Sequence, residues 1–161
     1  MPLALHNRKR YPLVLLFGFA LIVVIWFCFE DRLKPELLLT AIGGISGLTY
    51  FLYRKHIDET KLFKELFTEF NRRYDDLNDH LNAIKSEQTT RALSINEEEH
   101  LFTYFNLCAE EHFFYEAGYI DRRIWEAWNN GMRIFFSHSR IRNLWEKESK
   151  ANSFYGFGPP E

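Results

Sequence analysis

The sequence predicts an all-α protein in which a two-helix transmembrane hairpin precedes a cytoplasmic bundle of about four helices. Three observations lead to this fold class: two long uncharged apolar runs, a helical apolar stripe after them, and helix-capping residues further along the chain. The expected organisation begins with a basic leader at residues 1–10, a first transmembrane helix at 11–29, an external loop at 30–36 and a second transmembrane helix at 37–53. A cytoplasmic helical domain at 54–150 and a C-terminal tail at 151–161 follow.

The two apolar runs are the most informative feature of the chain. They cover residues 11–29 and 37–53, which makes nineteen and seventeen residues without a formal charge. A helix that crosses the hydrocarbon core needs about 20 mostly apolar residues, with a range of roughly 17–25. Only seven residues connect the runs, so they are predicted to cross the membrane as one hairpin. No small-residue cleavage site follows the first run, which is therefore expected to stay as an anchor.

Basic residues at the outer ends of the hairpin predict its orientation. Arg8, Lys9 and Arg10 precede the first run, and Arg54 and Lys55 follow the second. Lysine and arginine beside membrane helices are retained on the cytoplasmic side. Both termini are therefore expected in the cytoplasm, with the short connecting loop outside.

The second run contains a Gly-x-x-x-Gly pattern at Gly43 and Gly47. Small residues at this spacing allow two membrane helices to approach closely. The two glycines could pair with a second copy of the chain, or they could pack on the first run around Gly18 and Ala20. Packing within the hairpin is favoured, because the neighbouring helix is always present.

An amphipathic segment follows the hairpin directly. Its apolar positions are spaced alternately by four and three residues, which is a helical stripe: Phe63, Phe67, Phe70, Tyr74, Leu77, Leu81 and Ile84. A two-stranded coiled coil prefers aliphatic residues at such positions, and Leu62 and Leu66 widen the stripe. The segment is therefore expected to pack in a bundle, and to continue the second membrane helix to about Glu87.

Capping residues predict the helices that follow. Ser94 and Glu97 form a capping box at the start of the next helix, and Gly118 can end that helix in a left-handed conformation. Asp121 is expected to cap a further helix, and Ser137 or Ser139 is expected to start the last one. The predicted core residues of these helices are Leu101, Phe105, Cys108, His112, Tyr115, Ile124, Trp125, Trp128, Met132, Phe135, Ile141, Leu144 and Trp145.

Charge is unevenly distributed along the chain, although the net charge is only −2. Residues 57–116 carry a balance of −8, whereas residues 121–150 carry +3. The two regions could attract each other within one domain. Alternatively, the basic region could contact an anionic ligand or lipid headgroups, and the candidate contacts are then Arg122, Arg123, Arg133, Arg140 and Arg142. Because the domain as a whole is acidic, nucleic-acid binding is not expected.

No catalytic motif or cofactor-binding motif is recognisable, so no catalytic residue and no cofactor is expected. Glu97 and His100 have the Glu-x-x-His spacing of di-iron bundles, but a second such pair is missing, so no metal is expected. Cys28 and Cys108 form neither a disulfide framework nor a zinc pattern. An enzymatic site, if present, would use Glu110, Glu111 and His112 together with the arginines.

The stretch from Tyr104 to Glu148 resembles a segment of small bacterial membrane-anchored proteins of unknown function. It carries an Asn-Leu-x-Ala-Glu-Glu helix, then Gly-Tyr-Ile, a Trp-x-x-Trp, a Gly-Met and a final Trp-Glu. The resemblance implies an all-helical fold and a bacterial inner-membrane location, and no catalytic residue. The predicted architecture, two membrane helices and a helical domain, also resembles that of bacterial anti-phage membrane effectors.

Two functions are compatible with these observations. The first is a membrane-anchored interaction module, a scaffold or adaptor whose partner is a second copy of itself or another membrane or cytoplasmic protein. The second is a ligand-gated membrane effector, or an enzyme that uses the Glu110, Glu111, His112 and arginine cluster. The absence of a catalytic motif favours the first, and the enzymatic alternative stays open.

Overall fold

The computed structural model describes residues 11–28, 34–87, 91–149 and 154–160. In this part of the chain every regular element is helical, which confirms the all-α prediction. The helices are α1 (Tyr11–Cys28), α2 (Pro35–Ser86), α3 (Ile95–Glu116), α4 (Arg122–Phe136) and α5 (Ser139–Glu148). The leader at residues 1–10 and the loop residues 30–33 lie outside the described residues.

The chain divides into two compact units, and the division falls inside α2 between Leu62 and Phe63. The first unit contains α1 and the beginning of α2. The residues that line an apolar cavity of about 190 Å³ come from both helices: Ile22, Ile25, Trp26, Leu37, Leu38 and Ala41. Many large apolar side chains of this unit are exposed, among them Phe17, Leu39 and Phe51.

Among the described residues, α2 is the one helix that is long and apolar enough to cross a membrane, as judged by length and composition. None of its most apolar 18-residue window is buried. The apolar stretch of α1, Leu15–Cys28, is shorter. The sequence predicts two membrane spans, whereas the structure supports one candidate of sufficient length.

The glycine contact in the first unit differs from the expectation. A methyl group on Gly18 of α1 would lie 3.1 Å from two side-chain carbons of Ile45, so this is the close approach between the helices. Gly43 and Gly47 are exposed, and no described atom lies within 4 Å of a methyl group added to either. Residues 43 and 47 are each two positions from Ile45, which is about 200° around a helix. In the described residues the close approach of α1 to α2 is therefore at Ile45, and the packing of Gly43 and Gly47 stays a prediction.

The second unit begins at Phe63 and is a helical bundle. The last part of α2 has Phe70, Leu77, Leu81 and Ile84 buried, as the apolar stripe predicts. Phe67 remains 38% exposed. α2 runs without interruption from Pro35 to Ser86, so the predicted continuation of the second apolar run into the domain is confirmed.

The predicted ends of α3 and the start of α4 are confirmed by their hydrogen bonds. The backbone N–H of Glu97 donates to Ser94 Oγ at 3.3 Å, and the N–H of Ser94 donates to Glu97 Oε2 at 2.7 Å. Gly118 follows the end of α3 with a φ of 81°. The N–H of Arg123 donates to Asp121 Oδ1 at 2.9 Å, which caps α4.

α5 begins at Ser139, one of the two serines that the sequence predicts to start the last helix. Its N-cap is His138, without a side-chain capping bond, and the other serine, Ser137, is the C-cap of α4. Phe154 and Phe157 are buried against the bundle, while Tyr155 is exposed. The packed unit therefore extends into the segment that the sequence assigns to a tail.

α3 is the central helix of this unit. Its buried residues are Leu101, Tyr104, Phe105, Leu107, Cys108, Ala109 and Glu111. Aromatic rings fill much of the space around it: Phe105 stacks on Phe136 with ring centroids 5.6 Å apart and meets the edge of Trp145 at 5.1 Å. Such aromatic contacts add to the stabilisation that comes from burial alone.

Candidate functional site

The candidate enzymatic residues Glu110, Glu111 and His112 lie in the middle of α3 and point in different directions. Successive residues of an α-helix are separated by about 100°, so three in a row cannot face one point. The carboxylate of Glu110 forms a bidentate ion pair with the guanidinium of Arg73 from α2. This pair raises the pKa of Arg73 through the hydrogen bond to Glu110. The ion pair between Glu110 and Arg73 therefore connects α3 to α2.

Glu111 is the unusual member of the three, because its carboxyl group is buried, with 6% of the residue exposed. Among the described residues it has no ion pair and no hydrogen bond from its side chain. Burial raises its pKa to about 8, and the positive charge of Arg73 opposes this shift. Glu111 is thus protonated at neutral pH, which avoids the cost of a buried charge.

Two further polar groups, Tyr104 and Cys108, lie on the same face of α3 as Glu111. Tyr104 is seven residues and Cys108 three residues before Glu111, which is the spacing of one helix face. Burial raises the pKa of the Tyr104 hydroxyl and that of the Cys108 thiol above their ordinary values. A nucleophilic cysteine requires a lowered pKa and access to solvent. Cys108 is fully buried, so it acts as a small core residue.

His112 packs among aromatic rings on another side of α3. Its ring centroid is 5.4 Å from that of Trp125 and 5.7 Å from that of Phe157. Its Nε2 lies 3.9 Å from the carboxylate of Glu116, one turn further along the helix. The histidine therefore has a packing environment that is separate from those of Glu110 and Glu111.

The five candidate arginines do not form one cluster. Arg122 pairs with Glu126 at 2.7 Å and Arg123 with Asp121 at 3.1 Å, each within its own helix end. Arg133 donates to Asn130 Oδ1 at 3.3 Å, and Arg142 donates to the carbonyl of Phe136 at 3.0 Å. Each of these contacts joins residues that are close to each other in the sequence.

Arg140 has a structural role that the sequence does not reveal. Its side chain is 7% exposed, and its guanidinium donates to Glu87 at 2.9 Å and to Glu97 at 3.0 Å. Arg91 contacts the same two carboxylates, at 2.8 Å each. The hydrogen bond from Arg91 is the main cause that lowers the pKa of Glu97 to about 2. The network joins the end of α2, the start of α3 and the start of α5.

One pair of histidines was not singled out from the sequence. The rings of His80 on α2 and His100 on α3 lie with centroids 3.8 Å apart. His100 Nδ1 is 2.6 Å from the carbonyl oxygen of Asn96, one turn earlier. Glu97 is bound in the network of Arg91 and Arg140. The Glu-x-x-His spacing therefore does not bring Glu97 and His100 to a common ligand. In the described parts of the chain, no group of three or more His, Cys, Asp or Glu side chains could hold a metal ion.

Comparison of the chain with protein-family models, with curated proteins and with solved structures finds no match.

Proposed function

We propose that this chain is a membrane-anchored helical interaction module of a bacterial inner membrane. In this proposal α1 and the first part of α2 cross the bilayer as a hairpin, with both termini cytoplasmic. The unit that begins at Phe63 is then held at the cytoplasmic face, where it acts as a scaffold or adaptor. The bacterial setting follows the resemblance of the segment from Tyr104 to Glu148.

One observation carries the proposal: α2 is a single helix with two different surroundings along its length. Up to about Tyr53 many of its large apolar side chains are exposed, whereas Phe70, Leu77 and Leu81 further along are buried in a protein core. Exposed apolar side chains on this scale are unfavourable in water and favourable in lipid. The exposed Arg54 and Lys55 directly after the apolar run support a cytoplasmic exit.

We further propose that copies of the chain associate through the face of α2 that carries Gly43 and Gly47. This face is open in the chain, since no described atom approaches either glycine. Small residues allow the close backbone contact by which membrane helices pair in the absence of a hydrophobic driving force. Thr40, which lies on the same helix face, adds a small side chain to the contact.

The enzymatic alternative has little support from the geometry. A catalytic site requires its groups to lie within hydrogen-bonding reach of one reacting atom. Glu110 is bound to Arg73, Glu111 is buried and His112 packs against Trp125. These three groups and the arginines have separate environments, so an interaction role accounts for the arrangement better.

Reporter fusions test the topology that the proposal requires. A reporter active only in the cytoplasm and one active only outside are each fused at residue 6, at Lys34 and after residue 161. The cytoplasmic reporter should be active at residues 6 and 161, and the external reporter at Lys34, because basic residues flank the hairpin on one side. At each position the two reporters serve as controls for each other. An external C-terminus would refute the topology.

A further inference from the structure

The C-terminal segment, residues 154–160, packs on the second unit through two anchoring side chains. Phe154 and Phe157 are 8% and 6% exposed, whereas Tyr155 between them is 64% exposed. The two anchors fill a groove, called the aromatic groove below, whose walls come from α3, α4 and α5. The residues of these walls are Phe105, His112, Trp125, Phe136 and Trp145.

The contacts of the anchors are contacts between aromatic rings. The ring of Phe154 lies 4.6 Å from that of Trp145 and 6.2 Å from that of Phe105. The ring of Phe157 lies 5.5 Å from that of Trp145 and 5.7 Å from that of His112. Ring pairs at such separations attract each other beyond the effect of burial alone. The aromatic groove therefore accepts two aromatic side chains that are three residues apart in a chain.

The backbone of the C-terminal segment is not paired with the helices. In the described part of the chain it forms one hydrogen bond, from the N–H of Phe157 to the carbonyl of Phe154 at 2.8 Å, inside its own turn. Tyr155 and Gly156 within this turn have φ values of 49° and 77°. The left-handed region is unfavourable for a tyrosine, so docking holds Tyr155 in a costly conformation. Undocking of the segment would thus break no hydrogen bond of the bundle.

We propose that copies of the chain exchange their C-terminal segments, so that Phe154 and Phe157 of one copy fill the aromatic groove of another. The contacts that this exchange needs are the ones that the chain makes with itself, so the fit of this occupant is already given. Exchange of an identical element is a low-cost route to association for the same reason. The inference requires that copies meet, as the proposed function holds, but not that they meet through Gly43 and Gly47.

The balance between the closed and the exchanged form depends on local concentration. α5 ends at Glu148, and the five residues 149–153 connect it to the C-terminal segment. A short connection gives the chain's own segment an effective concentration on the order of 1 mM at its groove. The segment of another copy competes with it only where copies are held together. The closed form therefore predominates in a single copy, and assembly of copies favours exchange.

Crosslinking between two copies of the full-length protein tests the exchange. Both copies carry Cys28→Ser and are made in the same membranes, each with a different N-terminal affinity tag. One copy has Phe113→Cys and the other has Tyr155→Cys, because these two rings lie 5.8 Å apart where the segment is docked. A short bis-maleimide is added, and purification on both tags in succession isolates crosslinks between the two copies.

Ile95→Cys in place of Phe113→Cys provides the matched control. Ile95 is on the same helix and 79% exposed, and the eighteen residues that separate it from Phe113 span about 27 Å along the helix. We expect the crosslink between 113 and 155 to exceed that between 95 and 155 at least about five-fold. Equal yields of both crosslinks would overturn the exchange and leave association intact. No crosslink with either pair would refute the association of copies, and the exchange with it.

Removal of the anchors separates exchange from a mere contact of two surfaces. Phe154→Ala with Phe157→Ala in the copy that carries Phe113→Cys should raise the crosslink several-fold, because its own segment no longer competes for the groove. The same two substitutions in the copy that carries Tyr155→Cys should reduce the crosslink to the control yield. A crosslink that is unchanged by both would overturn the proposal.

A synthetic peptide of residues 152–161 gives a test that does not depend on the folding of these variants. Added at several millimolar, it should suppress the crosslink between 113 and 155, because it competes for the aromatic groove. The same peptide with alanine at both phenylalanine positions is the control and should have no effect. Equal yields with the two peptides would overturn the proposal.

Discussion

At the scale of single residues, three consecutive side chains on α3 show how strongly helix geometry controls role. Glu110 reaches Arg73 on α2, Glu111 is directed into the core, and His112 packs on the aromatic rings of Trp125 and Phe157. The rotation of about 100° per residue separates them although they are adjacent in sequence. A run of polar residues that suggests a catalytic cluster in the sequence is therefore divided among three environments in the fold.

Glu111 gives a prediction about pH. Its folded-state pKa is raised to about 8, so its contribution to stability is fully present below the ordinary pKa of a glutamate and is lost as the pH rises through about 8. Between about pH 6 and about pH 8 the free energy of unfolding should fall by roughly 2–3 kcal/mol from this group. Glu111→Gln should remove that loss, because the amide does not ionise. Urea unfolding of the detergent-solubilised protein at several pH values measures the difference.

Glu116→Gln is the matched control for this prediction. Glu116 is one of the last residues of the same helix, and its side chain is 65% exposed. This variant should follow the wild-type pH dependence. If Glu111→Gln does so as well, then the Glu111 carboxyl is not the buried proton-binding group that its position indicates.

At the scale of elements, the helix ends are fixed by a shared set of charges. Arg91 and Arg140 both bind Glu87 and Glu97, so one network stabilises the end of α2, the first turn of α3 and the start of α5. Because the pKa of Glu97 is lowered to about 2, its contribution to stability is present above the ordinary glutamate pKa and is lost as the pH falls through about 2. α5 lacks a side-chain N-cap, and Arg140 in its first turn joins it to the neighbouring helices instead.

The contribution of α5 to the core can be tested at Trp145, which is 5% exposed and contacts Phe105, Phe136 and Phe154. Trp145→Ala should lower the free energy of unfolding by about 3–5 kcal/mol, because it leaves a large cavity. Trp128 on α4 is half-buried, so Trp128→Ala should cost less, about 1–2 kcal/mol. Denaturant unfolding of both variants side by side gives the comparison. Equal losses would show that the two side chains are equally buried in solution.

At the scale of the whole molecule, the question is which surfaces remain for partners after the chain has folded. The face of α2 that carries Gly43 and Gly47 is open, and Phe113, Tyr119 and Tyr155 of the second unit are exposed. The proposed function uses the glycine face for association between copies.

Paired glycine substitutions distinguish contacts within the chain from contacts between copies. Gly43→Ile should reduce the crosslinked oligomer in membranes while the protein still inserts, because a methyl group at this position would have no described neighbour within 4 Å outside the backbone of its own helix. Gly18→Ile should instead impair folding or insertion, since even a methyl group there would lie 3.1 Å from Ile45 carbons. Crosslinking and membrane extraction measure the two effects. An inserted Gly43→Ile protein that keeps its full oligomer would exclude this face as the contact between copies.

The sequence by itself determined the helical class, the continuity of α2 and the local ends of α3 and α4. Those features depend on short-range rules: apolar spacing, the Ser94–Glu97 capping box, the left-handed Gly118 and the Asp121 cap. Each rule involves residues within about one helical turn of one another. It can therefore be recognised from residues that are close together in the sequence.

Only the tertiary structure decided which polar residues are buried and which glycine is in contact. The partners of Arg140 lie 43 and 53 positions away in the sequence, and Ile45 rather than Gly43 or Gly47 meets Gly18. Burial of Glu111 likewise depends on how the other helices pack around α3. Such outcomes depend on the rotation of one helix against another, which changes the partner of every side chain without changing the periodicity that identifies the helix.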